Sequence, residues 1–142
     1  MITINKLAKL SAELVYYFFM FFFTYTAIHK LANLESFRRN LIKTSLFTPA
    51  TADVVSWLII ALELSIVAIL FLRRAQGFVL LSISLLMFTV YISYLHAHGL
   101  YEVCGCGGIM NGLSYYTHFI INICLIFSSL FATYVYNKTD LK

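Results

Sequence analysis

The chain has 142 residues, of which 61% are hydrophobic and only 11% charged, with a formal net charge of +4. Soluble domains carry about 25% charged residues, and a water-soluble globule of this size leaves too much surface exposed to hide so many apolar side chains. Intrinsic disorder needs the opposite composition, and the ten Lys and Arg residues are scattered without forming the basic stripe of a nucleic-acid binder.

What remains is a polytopic membrane protein whose first partner is the lipid bilayer. Four nearly charge-free stretches predict an all-α, single-domain bundle of four transmembrane helices. They fall at residues 14–28, 54–72, 77–95 and 119–136. A helix needs about 20 apolar residues to cross roughly 30 Å of hydrocarbon, and unbroken apolar runs are unlike the alternating strands of a barrel. The first stretch is short, so its helix should extend back toward Leu7, with Glu13 near the interface. Lys6 and Lys9 also suit the basic region of a signal peptide, but no small-x-small cleavage site follows.

Residues 29–53 join the first two spans. Leu31, Leu34, Phe37, Leu41 and Ile42 recur at helical spacing, with Arg38, Arg39 and Lys43 opposite. This pattern predicts a short amphipathic helix lying on the outer membrane surface. Thr48-Pro49 then reads as an N-cap followed by proline at the first helical position, which puts Asp53 in the first turn of the second span.

Glu63 is the one charge inside the second stretch, nine residues from either edge. A carboxylate at that depth costs about 3 kcal/mol on insertion scales, so intramembrane acids mark function by default. It should face the bundle interior and either carry a proton or hydrogen-bond to a neighbouring Ser or Thr. A helix-packing role fits it as well as a proton or quinone role.

The third span ends at His96 and His98, and the fourth begins beside His118. Between them lies the cysteine loop, residues 97–115, which holds five of the six glycines together with Cys104 and Cys106. One glycine separates the two thiols. Residues so spaced come within disulfide range, and Gly105 permits the torsions of so small a ring. A disulfide of this kind is strained and therefore easily exchanged. Other roles stay open: a structural bridge, two idle thiols, or a soft-metal site built from Cys104, Cys106, His96, His98 and His118. Lys30 and the three histidines gather at the same end and would favour the reactive thiolate. Cys124 reads as a packed small apolar residue of the fourth span, and Asn122 shares a helix face with His118.

Tyrosines sit at the ends of spans, as an interfacial belt requires: Tyr16, Tyr17, Tyr91, Tyr94, Tyr115, Tyr116, Tyr134 and Tyr136. Cations set the orientation. Lys6, Lys9, Arg73, Arg74, Lys138 and Lys142 would be cytoplasmic with both termini, six against the four of the first loop, Lys30, Arg38, Arg39 and Lys43. The cysteine loop would then face outward, where disulfides persist.

Three local features carry a resemblance to the MauE/DoxX-like redox-associated membrane proteins, over all four spans. His29-Lys30-Leu31 resembles that family's lysine-leucine ending of span one, and Leu62-Glu63-Leu64 its span-two acid. Cys104-Gly105-Cys106-Gly107-Gly108 resembles the CGCFG loop of the methylamine-utilisation MauE branch, with Gly107 in place of phenylalanine. Ala27 and Ser65-Ile66-Val67 stand where DoxX-like chains often have glycines. The resemblance implies a four-helix bundle of the bacterial inner membrane that supports disulfide formation or maturation of extracytoplasmic proteins. Cys104 and Cys106 would be its redox pair, with a thioredoxin-like partner. Electrons would pass to a membrane quinone near Glu63, although no quinone motif is present. A non-enzymatic assembly or chaperone partner and a soft-metal-binding protein are the alternatives.

Overall fold

The computed structural model describes residues 2–101 and 112–140. Five helices follow in order: α1 (Ile2–Ala32), α2 (Leu34–Lys43), α3 (Pro49–Leu72), α4 (Arg74–Ala97) and α5 (Tyr115–Asp140). Four of them carry segments long and apolar enough to cross a membrane: Lys6–Ala32, Pro49–Leu72, Arg74–Ala97 and Tyr115–Lys138. Each segment exceeds the expected span at one end or both. Charges and polar groups at the ends lower hydropathy without ending the helix. A 24-residue helix is about 36 Å long, enough for the hydrocarbon and part of both interfaces.

Local chemistry sets the breaks. Asn33 ends α1: its side-chain amide and its backbone N–H both donate to the carbonyl of His29 at 3.0 Å. The Asn33 carbonyl then accepts the N–H of Phe37 as α2 begins. Ser45 closes α2 in the left-handed region, at φ 59°, with its N–H on the Ile42 carbonyl. Thr48 caps α3 through its hydroxyl, which accepts the N–H of Thr51, and Pro49 takes the first turn as expected. Asp53 lies beyond that first turn, contrary to expectation, where Arg38 of α2 reaches it.

Only Arg73 separates α3 from α4, against the four-residue link expected. The helices touch beside it: a Cβ on Gly77 would lie 2.6 Å from the Leu70 backbone, so no side chain fits there. At its far end α4 closes in a Schellman turn. Gly99, at φ 70°, donates to the His96 carbonyl and Leu100 donates to that of Leu95.

The four long helices form a ring in which α1 packs on α3, α3 on α4, α4 on α5, and α5 on α1. Neighbours run antiparallel, so both chain ends and the Arg73 link share one end of the bundle, the link end. The opposite, loop end carries α2 and the flanks of residues 102–111. The core at the link end is aromatic and aliphatic, built on Tyr16, Phe19, Ile66, Leu70, Phe78 and Tyr136. Between α4 and α5 the hydroxyls of Ser82 and Ser129 meet at 2.6 Å, a polar contact that draws apolar helices together. Outward faces carry Phe21, Phe71, Leu72, Leu86 and Phe127, all more than half exposed. Apolar bodies with such surfaces belong in lipid, and the chain is a multi-pass membrane protein.

The short helix expected after the first span is present as α2, and its apolar face packs on the bundle: Phe37 and Leu41 are buried against Ala52, with Phe47, Val55 and Ile59 around them, while Leu31 and Ile42 stay exposed. The tyrosine belt is only partial, since Tyr16 and Tyr136 turn inward while Tyr17, Tyr116 and Tyr134 face out.

Candidate functional site

The loop-end half of the bundle is hollow. A cavity of about 240 Å³ lies between all five helices, lined by Phe22, Phe23, Thr26 and Lys30 of α1, Phe37 and Leu41 of α2, Val55, Ile59, Leu62 and Glu63 of α3, Ser84, Leu85, Met87, Phe88 and Tyr91 of α4, and His118 and Asn122 of α5, with Phe47 of the α2–α3 connection. Its walls are apolar apart from a few polar groups.

The strongest of these is an ion pair. The Lys30 ammonium donates to Oε1 of Glu63, and the two side chains are 4% and 12% exposed. Helical side chains lean toward their own N-terminus. Because α1 and α3 are antiparallel, Lys30 leans toward the link end and Glu63 toward the loop end, so the two meet. The ring of Phe37 covers the ammonium at 5.7 Å; α2 is thus a roof over the pair. Glu63 faces the interior as expected, and beside Lys30 the Thr26 hydroxyl of neighbouring α1 lies close enough to interact with its carboxylate. Its second oxygen, Oε2, is buried with no hydrogen-bond partner among the described residues.

The opposite wall holds His118 and Asn122, which are 1% and 2% exposed. Burial pushes the Tyr101 hydroxyl above the ordinary phenol range, so it keeps its proton and donates to the Leu113 carbonyl at 3.1 Å. Its oxygen therefore accepts Nδ1–H of His118 at 3.0 Å, which leaves Nε2 as the ring nitrogen that Tyr101 does not engage. The Nδ2 amide of Asn122 has no hydrogen-bond partner among the described residues.

The remaining expected residues lie elsewhere. His96 is exposed and stacked flat on Tyr115, with centroids 3.9 Å apart, and His98 is exposed and stacked on Tyr94 at 4.1 Å. Of His96, His98 and His118, only His118 lines the cavity. Cys104, Cys106 and Glu102 lie outside the described residues. Among the described residues no group of three or more His, Cys, Asp or Glu is placed to hold a metal ion. Cys124 was expected to pack inside; it is an exposed free thiol, because two residues beyond inward-facing Asn122 is about 200° around the helix.

The Lys30–Glu63 pair itself went unread in the sequence, although a signal existed. A lone acid within an apolar span needs a cation, and Lys30 is the cation at the end of the preceding span. Nothing local marked the second ion pair, Glu13 with Arg74 at 2.6 Å, bracketed by Tyr16 and Tyr136.

Fold and site together define a four-helix integral membrane protein with a buried ion pair facing an intramembrane cavity. The chain belongs to the MauE family, described as methylamine utilisation protein MauE, with the match covering residues 8–135. No match was found among curated proteins or among solved structures.

Proposed function

We propose that this MauE-family protein is a thiol–disulfide redox component of the bacterial inner membrane, supporting disulfide formation or maturation in extracytoplasmic proteins. The observation that carries this reading is the Cys104-Gly105-Cys106 pair in the connection between α4 and α5. A thiolate of a reduced thioredoxin-like partner attacks the Cys104–Cys106 disulfide and forms a mixed disulfide while releasing the other cysteine as a thiolate. The partner's second thiolate then attacks that mixed disulfide. The partner leaves oxidised and the cysteine pair reduced, by two electrons; the opposite direction runs through the same intermediate.

The cation balance supports an outward-facing loop. Lys6, Lys9, Arg73 and Lys138 lie toward the link end, with Arg74 held there by Glu13. On the other side Lys30 is held by Glu63 and Arg38 by Asp53, which leaves Arg39 and Lys43 without an opposing carboxylate among the described ion pairs. That balance favours the link end as cytoplasmic.

Alkylation with a membrane-impermeant maleimide in intact cells tests the reading. Wild type should show Cys104 and Cys106 protected until a reductant is added, and Cys106→Ser should trap the partner on Cys104 as a mixed disulfide. Fully reduced cysteines, with no loss of client disulfides in the Cys104→Ser, Cys106→Ser double variant, would sink it.

A further inference from the structure

We infer that the intramembrane cavity is a binding site for the head group of a lipid-soluble quinone or quinol. Two buried polar atoms with no hydrogen-bond partner among the described residues point to a ligand. Asn122, 2% exposed, offers a donor at Nδ2, and Glu63, its side chain 12% exposed and the Thr26 hydroxyl beside it, an acceptor at Oε2. Groups buried in this way are costly unless something pairs with them. Both belong to an otherwise apolar cavity, so the occupant is a flat apolar body with an oxygen acceptor and a hydroxyl donor.

Size narrows the choice. About 240 Å³ is below the roughly 300–1,000 Å³ of drug-sized pockets, while about 150 Å³ already holds a benzene ring. One substituted ring fits; a whole lipid does not. Access narrows it further. The lining residues Leu62 and Met87 are 38% and 66% exposed on the outward surfaces of α3 and α4, within the apolar spans. The cavity wall there reaches the lipid-facing surface, the side from which a ligand would enter while leaving its tail in lipid. In a quinol, one hydroxyl donates to Oε2 of Glu63 and the opposite oxygen accepts from Asn122. The choice of a quinone over other rings rests on the redox reading above. Conversion of quinone to quinol takes two electrons and two protons, the number released when two thiols become a disulfide.

The test uses the full-length protein in phosphatidylcholine nanodiscs free of quinone, with decyl-ubiquinone and its quinol as probes. Binding is read as saturable quenching of the single tryptophan, Trp57, above the linear background of lipid-dissolved probe. Asn122→Leu should weaken binding about tenfold through loss of one hydrogen bond, while leaving thermal stability unchanged or raised because an unmet buried amide is gone. The quinol should bind at least as tightly as the quinone, since only it has a hydroxyl for Glu63. Quenching that never saturates, or equal affinity in wild type and Asn122→Leu, would overturn the inference. The Cys104→Ser, Cys106→Ser variant separates the two proposals. Retained probe binding without thiol exchange counts against the thiol reading alone; thiol exchange without probe binding counts against the cavity alone.

Discussion

Two of the acid–base pairs that tie helices together, one at each end of this bundle, differ in their surroundings. At the link end Glu13 meets Arg74 with side chains 27% and 39% exposed, and the guanidinium lies 4.4 Å from the Tyr16 ring. Close-packed aromatics fill the space beneath it. At the loop end Lys30 meets Glu63 at 4% and 12% exposure, beside open volume and unmet hydrogen-bonding groups. The first pair is an interfacial staple whose charges still reach polar surroundings. The second is deep, desolvated and left half-satisfied. Packing that leaves room around a buried charge favours function over stability, because closing the cavity would be the cheaper way to stabilise the helices.

Removing one partner from each pair is the sharpest way to break that contrast. Glu63→Leu leaves the Lys30 ammonium buried alone and should cost about 3–5 kcal/mol, read by denaturation in mixed micelles. The Lys30→Met, Glu63→Leu double variant should recover most of the loss. If Glu63→Leu costs no more than Glu13→Leu, the two pairs are equivalent and the contrast fails.

Packing density gives the next effect. Gly77→Ala drives a methyl group into the Leu70 backbone and should cost about 1–3 kcal/mol. Ser84→Val on the same helix adds its volume at the cavity wall and should stay within about 0.5 kcal/mol of wild type. Equal costs would mean that the cavity end is as tightly filled as the link end.

The smallest effect belongs to the staple. Glu13→Gln should change stability by less than about 1 kcal/mol, because partly exposed pairs are screened. Raised salt should remove most of even that difference while leaving the Lys30–Glu63 pair unaffected. A larger loss would show that the link-end pair is more desolvated than its exposure implies.

Much of the fold was legible before any coordinates. The Thr48-Pro49 start of α3, the inward direction of Glu63 and the helical character of α2 all follow from patterns within a few residues. The site was legible only in fragments. His96, His98 and His118 looked alike as neighbours of the cysteines, yet the first two stack outward on tyrosines and only the third enters the cavity. Lys30 looked like part of the thiol environment because it ends α1 on the same side. Cys124 looked buried because small apolar residues usually are.

The sequence by itself determined how many helices are long and apolar enough to cross the membrane, where α3 begins, and which charges lie within them. Those properties depend on apolar length and on caps, both of which are local. Only the tertiary structure decided that Lys30 and Glu63 meet, that α2 roofs them, and that Asn122 faces them across open space. Such pairings depend on how each helix is rotated about its axis and on the opposing lean of side chains from antiparallel neighbours. Packing of the whole ring sets that rotation, and no single segment encodes it.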